Sequence, residues 1–189
     1  NVHAMCVMLP GSHLEPGVVE AHGTPNSGIL DVGRYPGGVD HVDEAIAADL
    51  SASRFSSVAD PKVMRFKYAK LLMNLGNALE AATGAGGRMG ELYERARAEG
   101  VACFHAAGFY SAGPEEDRAR RADLIKLKPV AGRRREGGSS WQSLARGTGS
   151  IEADYLNGEI VLLGRHHDVP APVNALLQGL ANEMAANRE

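Results

Sequence analysis

The chain has 189 residues, of which 44% are hydrophobic and 23% are charged, the composition of a folded globular protein. A formal net charge of -3 and a pI near 6.2 exclude the basic surface that nucleic acids and anionic membranes require. No apolar run approaches the ~20 residues that cross a bilayer, and the first residues show no signal-peptide pattern. Cys6 and Cys103 are far apart, which predicts neither a disulfide framework nor a zinc site, so a reducing cytoplasm is expected.

The first 58 residues have the pattern of strands joined by turns. Short strands are predicted where Pro and Gly separate apolar stretches, at 2–9, 17–19 and 28–33. The spacing of apolar residues predicts a helix over 42–50. Because the pattern changes to longer helices after Asp60-Pro61, we place a domain boundary near residue 58, which gives domains at 1–58 and 59–189.

The remainder is predicted to be entirely helical. The first helix covers about 61–82 and ends at Thr83-Gly84. Its apolar stripe, predicted to be core, consists of Met64, Tyr68, Leu71, Leu75 and Leu79. Further helical patterns occur at about 88–107, 114–127, 139–145, 151–163 and 171–186. Between these patterns the basic, Gly-rich segment 126–138 is predicted to be a mobile surface loop.

One group of polar residues on the first long helix is a candidate site. Lys70, Asn74 and Asn77 follow each other at i, i+4 and i+7, which places an ammonium and two carboxamides on one helical face. A solvated face would also explain polar residues there. Such faces usually carry Glu, Lys and Arg, however, and asparagine is a poor helix former, so the pattern favours a function.

A second candidate is Ser139-Ser140 after two glycines, followed twelve residues later by Glu152. Taken alone, these residues are more simply a helix N-cap and an exposed acid.

Other motifs give no support for a site. The glycine-rich segment 84–90 follows a helix and misses the G-x-G-x-x-G spacing, so it is not a cofactor loop. The arginine run 133–135 is typical of a solvated loop, and residues 166–168 (HHD) point in different directions at a helix end, so no metal is expected. The sequence also lacks G-x-S-x-G, Walker A and H-E-x-x-H, which removes support for hydrolase, nucleotide-kinase and metalloprotease functions.

Three segments together resemble the C-terminal domain of the ketopantoate reductase family: KYAKLLMNLGNALEA (67–81), GSSWQSLARG (138–147) and IEADYLNGEIVLLGRHHDVPAPVNALL (151–177). The earlier segment 15–36 is similar to the last strands of that family's nucleotide-binding domain. The resemblance implies an α+β fragment, in which remnant strands of a Rossmann-type domain precede an all-α domain like the C-terminal domain of 6-phosphogluconate dehydrogenase. The first part of the nucleotide-binding domain would then lie outside this sequence.

The resemblance also implies a reaction and roles for individual residues. The family reduces 2-dehydropantoate, a small 2-keto acid, to pantoate with NADPH, a step of pantothenate biosynthesis. Lys70 corresponds to the family's catalytic lysine and Glu152 to the acid of its E-x-D-x-x-N-G motif. Asn74 and Ser140 correspond to substrate-binding residues, and Asn77 is a weaker match. Helical domains of this kind often form homodimers.

Several departures from the family pattern leave alternatives open. The interval from Lys70 to Asn77 is one residue shorter than usual, Gly137 stands where an Asn is common, and Trp141 replaces a Met. Because G-x-G-x-x-G is absent, this sequence alone forms no complete NADPH site. The alternatives are therefore a reductase of another 2-keto acid and a non-catalytic helical module that dimerises or binds a small acid.

Overall fold

The computed structural model describes residues 2–84, 87 and 90–187. Among the described residues the strands are β1 (His3–Met8), β2 (Gly11–Ser12), β3 (Glu20–Ala21), β4 (Gly23–Pro25), β5 (Ile29–Arg34) and β6 (Ile125–Leu127). The α-helices are α1 (His41–Ala52), α2 (Val63–Asn74), α3 (Asn77–Thr83), α4 (Glu91–Ala106), α5 (Pro114–Arg121), α6 (Ser139–Ala145), α7 (Asn157–His166) and α8 (Pro172–Asn187). A short 3-10 helix, Glu152–Tyr155, precedes α7.

The described chain packs into two compact units. The first comprises 1–70 and 111–135, and the second comprises 71–110 and 136–189. Helix α2 crosses the division between Lys70 and Leu71. The boundary near residue 58, which concerns domains recognised from the sequence, remains a prediction.

The first unit contains the strands. β1 and β5 pair antiparallel, with Cys6 opposite Asp31, and Ile29 and Val32 of β5 form parallel bridges to Ser56 and Ala59. The buried side chains of Ala4, Cys6 and Val63 form a core cluster beneath this ladder. The strands predicted at 2–9 and 28–33 are confirmed as β1 and β5.

The strand predicted at 17–19 is wrong. Gly17 lies in a turn with a φ of 79°, and Val18 and Val19 are exposed, so the local apolar pattern has no ladder partner. Helix α1 forms as expected because Asp40 caps it. The Asp40 side chain accepts from the backbone N–H of Asp43, while Asp43 accepts from the N–H of Asp40.

The second unit is helical in the residues described. Its core includes Leu75, Ile160 and Leu177, each at most 1% exposed. Gly100 on α4 allows close packing, since a Cβ there would lie 2.7 Å from Leu72 and 3.0 Å from Leu75. The patterns at 139–145 and 171–186 are confirmed as α6 and α8. The start of the helix predicted at residue 88 lies outside the described residues.

Two helix predictions are wrong in their extent. The helix expected at 61–82 is interrupted at Leu75-Gly76, between α2 and α3, where Gly76 adopts φ -83° and ψ 0°. The helix expected at 114–127 ends at Arg121, and 125–127 forms β6, which pairs with β4. The remainder of the chain is therefore not entirely helical. A strand partner about a hundred residues away overrides the local pattern.

Within the described residues, no helix combines the length and apolar character needed to cross a membrane.

Candidate functional site

Lys70 lies in the last part of α2 that belongs to the first unit. Its side chain is half-buried. Burial raises the pKa of the Cys6 thiol, and the Lys70 ammonium is close enough to oppose that rise. The Nζ of Lys67, on the same helix, donates a 2.9 Å hydrogen bond to the Met5 carbonyl. Lys70 is therefore a cation held in partly dry surroundings on a regular helix.

Asn74 and Asn77 flank the interruption between α2 and α3, so they do not share one continuous helical face as the sequence predicted. Asn74 is half-buried, whereas Asn77 is only 3% exposed. The Asn77 Nδ2 lies 3.4 Å from Ser139 Oγ, at the first residue of α6. The structure thus brings Asn77 to the predicted serine pair, within the second unit.

The serine pair begins α6 after two glycines. Ser140, the predicted substrate contact, is 3% exposed, whereas Ser139 is exposed. Gly137 has a φ of 56°, and a Cβ there would lie 2.6 Å from the Trp141 ring. Gly137 and Trp141, which both depart from the family pattern, are therefore in contact with each other, and the Trp141 indole packs on the Gly137 backbone. Of the two candidate serines, Ser139 accepts the bond from Asn77 Nδ2, whereas Ser140 is the one that the resemblance makes the substrate contact.

Glu152 is the first residue of the 3-10 helix, and its side chain is exposed. Two residues later, Asp154 accepts hydrogen bonds from Gln178 at 2.7 Å and Asn182 at 2.8 Å, both on α8. These bonds from Gln178 and Asn182 lower the pKa of the Asp154 carboxyl. Asp154, the second acid of the E-x-D-x-x-N-G motif, thus connects the 3-10 helix to α8, whereas Glu152 remains exposed.

Buried polar groups join three helices of the second unit, α4, α7 and α8, to the segment between α2 and α3. Asn157 Nδ2 donates to the Leu75 carbonyl at 3.1 Å and to Asn174 Oδ1 at 3.0 Å. Asn174 Nδ2 donates in turn to the Ala96 carbonyl at 2.9 Å and to Glu99 at 2.8 Å. Glu99 also accepts from the backbone N–H groups at the start of α8. The sequence shows these residues without their partners, because the partners are distant in the chain.

Among the described residues, the side chains of His3, Asp40 and Asp43 are close enough together to be potential metal ligands. Their polar atoms already serve the fold. His3 Nδ1 lies 2.7 Å from Asp43 Oδ1, and both aspartates cap α1. Arg34 also lies 3.7 Å from Asp40, and its positive charge opposes a cation there. The two aspartates of this group therefore form a helix cap, and His3 is hydrogen-bonded to one of them.

The basic loop is likewise used for structure. Arg133 pairs with Glu15 and Glu20, and Arg135 donates to the Gly11 carbonyl. In the HHD segment at 166–168, His166 is the last residue of α7 and His167 is its C-cap, as expected for a helix end. Most of the segment 84–90 lies outside the described residues.

Comparison with known proteins finds related sequences along most of the chain. Residues 62–185 match the family described as ketopantoate reductase PanE/ApbA C terminal. A 2-dehydropantoate 2-reductase of Halobacterium salinarum is 30% identical over 176 residues, which are 88% of this chain and 54% of that protein. The chain therefore spans about half the length of this curated relative.

Solved structures show the same fold. A PanE/ApbA family ketopantoate reductase from Ralstonia eutropha JMP134 is 25% identical with a TM-score of 0.70, and the match covers 98% of this chain and 60% of that one. A D-mandelate dehydrogenase solved with NADH has a TM-score of 0.74 at 18% identity, over 100% of this chain and 64% of that one. The strands and helices described above therefore follow the ketopantoate reductase fold, including its C-terminal helical domain.

Proposed function

The chain belongs to the ketopantoate reductase family, and on that premise we propose that it is the substrate-binding part of an NADPH-dependent 2-keto acid reductase. The proposed substrate is 2-dehydropantoate or a similar small 2-keto acid, and the product is the 2-hydroxy acid. The observation that carries the proposal is the set of polar groups around the interruption between α2 and α3. Lys70 and Asn74 precede it, and Asn77 follows it beside the start of α6.

Lys70 is the proposed general acid. Reduction of the ketone adds hydride to the carbonyl carbon and leaves negative charge on the oxygen. The Lys70 ammonium would hydrogen-bond this oxygen and transfer one proton to it, after which solvent would reprotonate the neutral amine. A half-buried ammonium suits this task, because partial desolvation strengthens its attraction for the developing charge.

The remaining residues are proposed to orient the substrate. Asn74 and Asn77 would donate amide hydrogens to substrate oxygens, and the hydroxyl of Ser140 would contact the carboxylate. Glu152 would accept a hydrogen bond from the substrate hydroxyl or from Lys70. Its side chain is exposed and therefore accessible to a ligand.

The cofactor is proposed to bind mainly outside this chain. We assign residues 1–58 to the end of a Rossmann-type domain, as the β1–β5 ladder and its parallel bridges allow. The turn after β5 is Tyr35-Pro36-Gly37-Gly38, which lacks the G-x-G-x-x-G that holds a pyrophosphate, so these residues do not form the dinucleotide site. NADPH supplies the reducing equivalent when it is bound by the remaining part of the nucleotide-binding domain.

The cellular setting is also a proposal. The protein would act in the cytoplasm, in pantothenate biosynthesis, as a homodimer. Exposed leucines on one side of α8, Leu176 and Leu180, offer apolar surface of the kind that helices pair through. Sedimentation equilibrium of the chain over a range of concentrations would measure the dimer directly.

The test of the reductase uses two lysines of one helix. Turnover of 2-dehydropantoate and a panel of other 2-keto acids is measured in protein that carries this chain with a nucleotide-binding segment joined upstream. Lys70→Met should lower kcat by ~10²-fold or more, the usual scale for proton transfer by a positioned side chain. Lys67→Met is the matched control, and it should retain most of the turnover. Equal turnover in both variants would remove Lys70 from the mechanism.

A further inference from the structure

The interruption between α2 and α3 is held by a side chain from a distant part of the sequence. Leu75 is fully buried, and its side chain packs against α4 at Gly100, which has no side chain. Its carbonyl accepts a hydrogen bond from Asn157 Nδ2, 82 positions further along the chain. In an uninterrupted helix that carbonyl would accept from the N–H of residue 79. Asn157 therefore takes the place of a backbone donor at the point where the helix is broken.

The orientation of the Asn157 amide is determined by its partners. Nδ2 serves two acceptors, the Leu75 carbonyl and Asn174 Oδ1, so both of its hydrogens are used. Asn174 is itself fixed by the Ala96 carbonyl and by Glu99, which also caps α8. Asn157 and Asn174 are 1% and 0% exposed, so water cannot easily substitute for these bonds. A side chain of similar size without a donor, such as leucine, would leave the Leu75 carbonyl without this partner.

We propose that Asn157 is a positioning residue that holds the helix interruption at Leu75-Gly76 and thereby sets the orientation of the Asn74 and Asn77 carboxamides. Asn74 is the last residue of α2 and Asn77 the first of α3, so each lies directly beside the held carbonyl. Asn77 in turn points to Ser139. The functional consequence rests on the proposed reductase site, to which both asparagines belong. Asn157 itself need not touch the substrate.

A purely structural role for Asn157 gives different expectations. In that case its loss would loosen the packing of α7 and α8 generally and leave the interruption as it is. If Asn157 positions the interruption, its loss frees the Leu75 carbonyl for the N–H of residue 79, and α2 and α3 can join into one helix. The Asn77 side chain would then rotate away from Ser139, because a helix turns ~100° per residue.

The experiment compares Asn157→Leu with Asn182→Leu in the 189-residue chain by NMR. Asn182 is an exposed asparagine of α8 that bonds Asp154, so its replacement removes an amide without touching the interruption. Asn157→Leu should shift the backbone resonances of 74–79 and the side-chain amide of Asn77, with α8 still protected from exchange. Asn182→Leu should leave these signals in place. If Asn157→Leu fails to fold, Asn157→Ala removes the same two donors with a smaller side chain and provides the same comparison.

Kinetics in the protein with an upstream nucleotide-binding segment supply the second readout. Asn157→Leu should raise KM for the 2-keto acid by ~10-fold, the order expected when contacts to the substrate are weakened, and kcat should change less. Folded Asn157 variants with unchanged signals at 74–79 would overturn the inference, as would shifted signals with wild-type KM. If wild-type protein reduces no 2-keto acid, the proposed function fails, and the NMR comparison alone still decides whether Asn157 holds the interruption.

Discussion

Replacing Arg120 with methionine should cost about 3–5 kcal/mol of folding free energy, the range for removing one partner of a buried ion pair. The guanidinium donates two hydrogen bonds to Asp31, from Nε to Oδ2 at 2.8 Å and from Nη2 to Oδ1 at 2.5 Å. Asp31 is only 2% exposed, so the variant leaves its buried carboxylate with the N–H of Val58, 3.1 Å away. Methionine keeps much of the aliphatic stem, so the loss reports mainly on the charge.

Urea unfolding followed by circular dichroism measures this cost. With a slope of ~1–3 kcal/mol per molar urea, the midpoint should fall by ~1 M or more, and hydrogen exchange should accelerate in β5. The control is Lys126→Met, which breaks the 2.7 Å ion pair between Lys126 and Asp123. The side chains of this pair are 64% and 91% exposed, respectively. That control should leave the midpoint nearly unchanged. Equal shifts in the two variants would refute the claim that burial makes the Asp31 pair important for stability.

Two further predictions concern groups with shifted pKa values. Because bonds from Gln178 and Asn182 lower the pKa of Asp154, replacing both amides by alanine should raise that pKa toward the ordinary range of an aspartate in an NMR titration. The stabilisation that they provide is present above the unfolded pKa and is lost as pH falls through the folded pKa, so chain and variant should converge in stability in acid. An unchanged Asp154 titration would show that these bonds do not form. Burial raises the pKa of both Cys6 and Cys103, so a disulfide reagent should label them slowly at neutral pH and rapidly in urea. Rapid labelling of the folded chain would contradict their burial.

Much of the helical structure could be predicted from local signals. Gly84, with a φ of 81°, ends α3 where the sequence placed a stop, and α6 covers the predicted 139–145. The errors occur where distant residues decide the structure. β6 forms because Ile125–Leu127 pairs with Gly23–Pro25, and the interruption after Asn74 accompanies the bond from Asn157 to the Leu75 carbonyl. Local periodicity contains no information about either partner.

The candidate site divides in the same way. The spacing of Lys70, Asn74 and Asn77 predicts that these residues belong to one site. It could not show that Asn77 is buried or that it hydrogen-bonds Ser139. Two adjacent serines are equivalent in a sequence pattern, whereas the first turn of α6 exposes Ser139 and buries Ser140. The asparagine in E-x-D-x-x-N-G was visible in the sequence, but only its contact with Leu75 indicates what it does.

The most direct test of the central claim is NADPH consumption with 2-dehydropantoate, measured for the 189-residue chain alone and for the chain joined to an upstream nucleotide-binding segment. We expect the joined protein to convert the 2-keto acid to the 2-hydroxy acid with one NADPH consumed per product, and the chain alone not to do so. If the joined protein binds NADPH but reduces no member of a 2-keto acid panel, the proposal that this chain is the substrate-binding part of a reductase is wrong.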